Sequence, residues 1–277
     1  VVVDVQRGGP STGLPTKTEQ SDLNQALYGR NGECPMVVIA ASSPSDCFHY
    51  AFMAGKIAME HMTPVMLLSD GFIANGSEPW KIPSMADYPA IVPPIVEPRE
   101  GEEFLPYARN EKLARGWAFP GKAGLQHRIG GLEKDHLRGT ISHDPKNHQE
   151  MVTTRKRKVE LVAEELPELK VFGAEEADVL VVGWGGTRGH LHSAVQQLQE
   201  EGKSVAHLHF NYIYPMQKGV ADILKRYKRI VVCELNEGQF ANYLRQQFTD
   251  VVIESYGKTE GQPFTVIEIK EKVNSML

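Results

Sequence analysis

Short apolar runs, each handing over to a stretch with helical spacing, recur along this chain and restrict its fold more than any other feature. Met36 to Ala40, Val65 to Leu68, Val179 to Val182, Val205 to Leu208, Ile230 to Cys233 and Val251 to Ile253 are strand-length and rich in apolar residues. Runs of that length bounded by turn residues read as strands buried in a sheet. Between and after them lie helical patterns: 19–28, 44–61, 190–200, 220–227, a segment marked by Phe240, Tyr243, Leu244 and Phe248, and 264–276, with Pro263 read as its start. Strand–helix alternation of this kind implies parallel sheets with helices on their faces. Local signals set several ends. Ser43 is placed to cap a helix with Pro44 in its first turn and Asp46 as a capping-box acid. Thr63-Pro64 breaks that helix, and Asp144-Pro145 opens another that runs to about Leu166. The strands in the first 75 residues look like the second half of a doubly wound domain.

The stretch with the most chemical content is Val1 to Thr18, VVVDVQRGGPSTGLPTKT. Val1 to Val5 reads as a buried strand broken only by Asp4. It empties into Arg7 and a loop with Gly8, Gly9, Pro10, Ser11, Thr12, Gly13 and Pro15. The glycines permit positive φ and a close approach of backbone to ligand. Ser11, Thr12, Thr16 and Thr18 supply hydroxyls. Arg7 supplies a planar, permanently charged fork suited to a carboxylate or phosphate. Strand ends feeding such loops are where open α/β sheets place ligands. A plain glycine-rich connection with one surface arginine is the simpler alternative.

Bulk properties remove several function classes. With a net charge of -5 in 277 residues, a nucleic-acid partner is not indicated. No apolar run reaches the ~18 residues of a membrane span. The apolar start is too short, and lacks the basic flank, for a secretory signal. Cys34, Cys47 and Cys233 are widely spaced with no CxxC, which argues against a disulfide framework or thiolate metal site and for a reducing cytoplasm. These cysteines are too few for a four-cysteine iron–sulfur cluster. An apolar strand at the very start suggests that Val1 continues from a longer, N-terminally truncated chain.

From Asn75 to about Asp144 the periodicity fades and prolines and glycines crowd in. Trp80, Phe104, Tyr107, Trp117, Phe119 and Leu125 still give this connector enough apolar mass to pack over domain surfaces, with room for a short hairpin. Arg155, Lys156, Arg157 and Lys158 form a basic run on the helix that follows. It reads either as a solvated face, the commoner case, or as an anion or coenzyme A patch. Gly183-Trp184-Gly185-Gly186-Thr187-Arg188-Gly189 lies between a strand and a helix. Its GxGxxxG spacing misses the dinucleotide fingerprint, so a structural tight turn is favoured over a phosphate site. His190 and His192 point to different sides of a helix. His207 and His209 could face one way, but no third ligand is evident and no metal site is expected. No GxSxG, GxxxxGK[ST] or HExxH occurs.

The contiguous run QRGGPSTGLPTKTEQSDL resembles the signature of the α subunit of 2-oxoacid:ferredoxin oxidoreductases, the 2-oxoglutarate branch in particular. ARGWAFPGKAGLQHRIGGLE, SHDPKNHQEMVTTRKRK and CELNEGQFANYLR resemble later parts of the same subunit. The resemblance implies an α/β fold of two parallel-sheet domains joined by a long irregular connector. Residues 1–75 would be the C-terminal part of a thiamine pyrimidine-binding-like domain, 76–170 the connector, and 171–277 a transketolase C-terminal-like domain. It implies oxidative decarboxylation of a 2-oxoacid to its acyl-CoA, with electrons passed to ferredoxin. By the same resemblance Arg7 contacts the substrate carboxylate, Ser11 and Thr12 line the substrate mouth, and Gly9 and Gly13 line the cofactor side. Thiamine diphosphate and magnesium would be held mainly by a β subunit, and an iron–sulfur cluster would lie on a partner. Coenzyme A would be a substrate, ferredoxin would be reached through the complex, and the chain would form α–α or α–β oligomers. The threonine motif and activating glutamate of that family would precede Val1, so this piece alone is expected to be inactive. Two alternatives stay open: a non-catalytic assembly fragment, and a pyruvate, indolepyruvate or transketolase-like thiamine enzyme.

Overall fold

Five of the six apolar runs become central strands, whereas the last strand of the chain, Ile253–Gly257, meets the run Val251 to Ile253 only at Ile253 and lies at a sheet edge. A computed structural model describes residues 1–277. In its N-terminal part, β1 (Val2–Gln6), α1 (Leu23–Tyr28), β2 (Val37–Ala40), α2 (Pro44–Glu60), β3 (Val65–Asp70) and the one-turn α3 (Gly71–Ala74) follow in order. β1 and β2 both pair parallel with β3, with Val3 opposite Leu67 and Val38 opposite Met66. Ser43 caps α2 by accepting from the Asp46 amide at 3.3 Å. The reciprocal half of the capping box is absent. The Asp46 carboxylate instead accepts from Ser42 Oγ, and Arg188 Nη1 lies 3.6 Å away. Glu78 of the connector takes the Ser45 amide at 2.6 Å and Ser43 Oγ at 2.9 Å.

The first strand is not buried as its composition implies. Val2, Val3 and Val5 are 51%, 58% and 49% exposed, and only Gln6 is enclosed. β1 is the edge of its sheet and pairs with β3 alone. Apolar character therefore does not distinguish an edge strand from a central one.

The connector packs through its aromatic and charged side chains. Trp117 Nε1 donates to Met59 O at 2.7 Å, the Val92 amide donates to Glu60 Oε1 at 2.9 Å, and Ala114 and Leu125 are buried. Its only regular pieces are a 3-10 turn, Met85–Asp87, and isolated bridges such as Arg109–Arg115 and Lys134–Ile141. α4 (Pro145–Leu161) starts on the expected Asp144 cap, which accepts from the Lys146 amide at 2.7 Å, and tightens into a 3-10 turn over Val162–Glu165.

The C-terminal part contains β4 (Val171–Phe172), β5 (Val179–Trp184), α5 (Arg188–Glu200), β6 (Val205–Phe210), β7 (Tyr212–Tyr214), α6 (Val220–Leu224), β8 (Arg229–Glu234), α7 (Gln239–Gln247), β9 (Ile253–Gly257) and α8 (Val266–Asn274). The second sheet has order β4-β6-β5-β8-β9, all parallel except β4. Every residue of β5 is buried, and each large side chain there contributes roughly 1.5–3 kcal/mol by leaving water. α8 begins later than Pro263. Thr265 and Glu268 form a full capping box, with the Glu268 amide 3.2 Å from Thr265 Oγ1 and the Thr265 amide 2.6 Å from Glu268 Oε2.

β7 is the feature that the periodicity did not reveal. It leaves the second sheet and joins the first, antiparallel to β2, giving the order β1-β3-β2-β7. Asn211 makes the switch: its carbonyl accepts from the Ala40 amide at 2.7 Å, and its Nδ2 donates to Ala40 O at 2.8 Å. The largest core cluster accordingly mixes Leu23, Val38 and Leu68 with Leu180, Trp184, Phe210 and Phe240. Two smaller clusters fill the far side of each sheet, against α5 and α8 for the second and against α2 for the first. No helix is long and apolar enough to cross a membrane.

Candidate functional site

At the C-terminal end of β1 the chain turns outward at Arg7 and returns to the core at Thr18. The loop between closes on itself: the Gly8 amide donates to Lys17 O at 3.1 Å, and the Leu14 amide donates to Gly8 O at 2.9 Å. Gly13 has φ +58°, and a Cβ there would lie 1.7 Å from Gly8 O. Only glycine fits that crossing. Ser11 and Thr16 also take positive φ, 57° and 58°. Such left-handed non-glycine residues cost energy and gather at ligand-binding loops. Residues 9–17 are exposed. Gly13→Ala is therefore expected to open the loop, seen as faster proteolytic cleavage within residues 9–17, while the melting temperature stays close to wild type. A large fall in melting temperature would mean that the loop is a structural keystone instead.

Arg7 is exposed, and its guanidinium makes no ion pair and no hydrogen bond with the protein. Only its backbone is tied, by Ser21 Oγ donating to Arg7 O at 2.9 Å. Acids are nearby but unpaired with it. Burial pushes the Asp4 and Glu19 carboxyls up, with Asp22 adding to both and the Gly9 amide partly offsetting the rise at Glu19. None of the five principal cavities, of about 340–660 Å³, is lined by Arg7, Gly9, Ser11, Thr12 or Gly13. They stand together on the surface. The returning limb, Thr16 to Thr18, borders an open cleft of about 660 Å³ with Phe72, His190 and Gln262.

The rim is anchored by a buried polar network reaching into the second sheet. Gln20 is fully buried; its Nε2 donates to Trp184 O at 2.7 Å, and its Oε1 accepts from the Leu235 amide at 2.9 Å. Asn236 Nδ2 donates to Gln20 O at 2.8 Å. Thr18 Oγ1 donates to Asp70 Oδ1 at 3.0 Å, and Asp70 caps α3 through the Phe72 and Ile73 amides. Burial raises the Asp70 carboxyl, and those hydrogen bonds counter it. Glu234 is buried and accepts from Trp184 Nε1 at 3.2 Å and from the Phe240 and Ala241 amides, each at 2.9 Å. Sequence spacing gave no warning of these partners. The visible signals were acids at strand ends before glycines: Asp70 before Gly71, and Glu234 ahead of Gly238.

A family profile described as pyruvate flavodoxin/ferredoxin oxidoreductase, thiamine diphosphate-binding, matches residues 1–143. The chain belongs to this oxidoreductase family. A second profile, pyruvate:ferredoxin oxidoreductase core domain II, matches residues 177–269. The 2-oxoglutarate oxidoreductase subunit KorA of Mycobacterium tuberculosis is 47% identical over 279 residues, covering 100% of this chain and 42% of that protein. The α subunit of 2-oxoacid:ferredoxin oxidoreductase 1 from Aeropyrum pernix is 33% identical, covering 92% of this chain and 39% of its own length. The solved 2-oxoglutarate:ferredoxin oxidoreductase of Magnetococcus marinus, with 2-oxoglutarate, coenzyme A and succinyl-CoA bound, superposes with a TM-score of 0.93 at 33% identity. That match covers 99% of this chain and 48% of the other. The chain thus spans less than half the length of these relatives.

Within this chain, the remaining motifs resolve as follows. Gly185 and Gly186 form a 3-10 turn before α5. A Cβ on Gly186 would meet Asp70 Oδ2 at 2.1 Å. The chain's own carboxylate fills the niche that a phosphate would need, so the tight-turn reading holds. His190 packs on Phe72, with rings 5.3 Å apart, and His192 on Phe172, at 4.0 Å. Burial drives His207 down to about 3 and His209 well below its usual value. No three His, Cys, Asp or Glu side chains come together as a metal centre needs.

The basic run divides. Lys156 and Arg157 are exposed and pair with Glu160. Lys158 turns inward and donates to Met62 O at 2.9 Å. Burial first, then the charges of Arg115, Arg109 and Arg155, lowers its pKa from 10.5 to about 8. Below pH 8 folded and unfolded chains both carry the proton, so the cost of holding it is fully present. Between about 8 and 10.5 the folded chain sheds it first, and stability rises with pH. Lys158→Met is expected to melt a few degrees higher than wild type at neutral pH. That advantage should shrink across this window. A pH-independent difference would dissociate the effect from titration.

Proposed function

We propose that this chain is the α-subunit part of a thiamine-diphosphate-dependent 2-oxoacid:ferredoxin oxidoreductase acting on 2-oxoglutarate. The reaction joins the acyl group left after loss of carbon dioxide to coenzyme A, and its electron pair goes to ferredoxin. One observation carries the reading: Arg7 holds a free guanidinium on an exposed rim whose shape is fixed by Gly13. That geometry suits an incoming carboxylate. The names of the relatives favour the five-carbon diacid over pyruvate.

In this reading Arg7 grips the 2-oxoacid carboxylate, and Ser11 and Thr12 border the same mouth. Gly9 and Gly13 let the main chain approach the cofactor. Positioning is the chain's contribution, since a fixed near-attack geometry removes much of the entropic barrier. Thiamine diphosphate supplies the electron sink when bound. The side chains here suit a carboxylate better than a magnesium–diphosphate, which a β subunit would hold. The three cysteines, Cys34, Cys47 and Cys233, are separate and free, so these residues supply no four-cysteine set, and in this reading the iron–sulfur cluster lies on a partner. Residues 1–75 would be the pyrimidine-side domain, 76–170 the connector and 171–277 the assembly domain, in a cytoplasmic α–β complex. An assembly-only role is the second reading, favoured by the exposed β1 valines.

The test is a 2-oxoacid panel on the assembled complex, following ferredoxin reduction with and without coenzyme A. Coenzyme A-dependent turnover with 2-oxoglutarate as the best substrate is expected. Preference for pyruvate or indolepyruvate overturns the substrate assignment. No turnover with any 2-oxoacid overturns the function.

A further inference from the structure

The cleft between the connector and α4 gathers cations that the protein leaves uncompensated. Arg109, Arg115, Lys134, Arg155 and Lys158 all line one cavity of about 340 Å³. None of them has a carboxylate within ion-pair distance, although the chain as a whole carries -5. The side chains of Arg115 and Arg155 make no hydrogen bond to any protein group, which leaves both forks free. Arg109 is held by His136 O at 3.0 Å and Met151 Sδ at 3.2 Å. Lys134 is 3% exposed and spends its ammonium on the carbonyls of Gly130 and Leu132. The acid on the wall, Glu133, is engaged by His148 Nδ1 at 2.5 Å. Glu150 is the other acid whose field reaches Arg109.

The backbone enforces this crowding. A tight turn pairs Arg109 directly with Arg115 across an antiparallel bridge, and Leu113 at its tip takes φ 55°. Like charges placed opposite one another are destabilising, and a leucine in the left-handed region adds strain. Both guanidiniums lie over the Tyr107 ring, at 4.2 Å for Arg115 and 5.9 Å for Arg109. Hydrogen bonds to His136 O and Met151 Sδ hold Arg109, while the Arg115 guanidinium lies over the ring with its N–H donors unbonded. A bound dianion would relieve the repulsion and occupy the free donors.

We propose that this cleft binds the phosphate of a small phosphorylated ligand, with Arg115, Arg155 and Lys158 as its charged contacts. Convergent cations favour a dianion over a single carboxylate, and arginine forks match phosphate oxygens in pairs. Lys156 and Arg157, on the outer side of the same helix, are already paired with Glu160 and take no part. None of the Arg7 loop residues is involved, so the inference does not depend on the proposed reaction.

Two probes distinguish the sources of such a group: inorganic phosphate, and adenosine 3′,5′-bisphosphate as a phosphomonoester on a larger body. Calorimetry on the assembled complex at low salt should show saturable binding of at least one, weakening as salt rises. Arg115→Gln and Arg155→Gln should each weaken it by about tenfold or more, the size of a lost hydrogen bond between charged groups. Tighter binding of the bisphosphate assigns the site to a larger ligand's terminal phosphate, and similar binding of both to free phosphate. No saturable binding of either probe overturns the proposal, as does unchanged affinity in both variants. Should a variant fold poorly, phosphate-induced protection of the wild type against heat serves instead, and its absence is refuting. Neither measurement requires turnover, so this result stands apart from the outcome of the 2-oxoacid panel.

Discussion

The Arg7→Ala variant of the assembled complex is expected to show a KM for 2-oxoglutarate, the proposed substrate, raised about tenfold or more. The size follows from the ~1.5–3 kcal/mol that a hydrogen bond to a charged group is worth. Arg7 stands exposed with no protein partner for its guanidinium. Removing it should leave the melting temperature unchanged, which separates a substrate contact from a folding defect. Arg7→Lys should recover part of the loss, because the charge remains while the planar two-pronged geometry does not. The split between KM and kcat carries further information. A rise in KM alone means that Arg7 grips ground state and transition state equally. A matching fall in kcat means that it also aligns the keto carbon. Steady-state kinetics across 2-oxoacid concentrations decide between them, and an unaltered KM removes Arg7 from the substrate site.

Glu234→Ala is expected to be the most damaging single change to the fold. Its carboxylate receives hydrogen bonds from Trp184 Nε1 and from the Phe240 and Ala241 amides. All of these donors lie in the core, where water cannot replace the acceptor. Each orphaned donor costs roughly 1–3 kcal/mol, so a loss of about 3 kcal/mol or more is expected. The negative charge also faces the opening turn of α7, where it complements the helix dipole. Glu234→Gln retains one acceptor oxygen but turns its amide NH2 toward a donor, and should fall between alanine and wild type. Denaturant midpoints measure both. A Glu234→Ala midpoint equal to wild type would show that the pocket repacks without the carboxylate.

Much of this architecture could be read in the chain because strand-length apolar runs and helical spacing are local properties. β2, β3, β5, β6 and β8 sit where short apolar runs predict strands, and the Ser43 and Asp144 caps hold. What escaped was set by distance. The edge position of β1 depends on which strands pair, and four apolar residues look the same at an edge or a centre. β7 hides inside the run Phe210 to Pro215, where the sheet changes at one polar residue, Asn211. The start of α8 was readable in principle, since Thr265 and Glu268 have capping-box spacing. Arg7 and its glycines were legible as a ligand loop because they are contiguous. The Gln20 network was not, since its partners lie 164 and 215 residues away. The cationic cleft was half visible: the run at 155–158 showed, but which residues turn inward follows from helix phase and from a connector turn with no periodicity.

The loan of β7 from one half of the chain to the other sheet ties the two halves into a single cooperative object. Severing the polypeptide within residues 162–170 and expressing the front piece alone would leave Val37–Ala40 with an open row of amides and carbonyls along an entirely apolar strand. Bare strand margins of that kind recruit other copies of themselves. The front piece should aggregate on its own and dissolve when co-expressed with the back piece, which returns the missing ribbon. Shuffling these halves among relatives would therefore require exchanging Tyr212–Tyr214 along with the sheet that it completes.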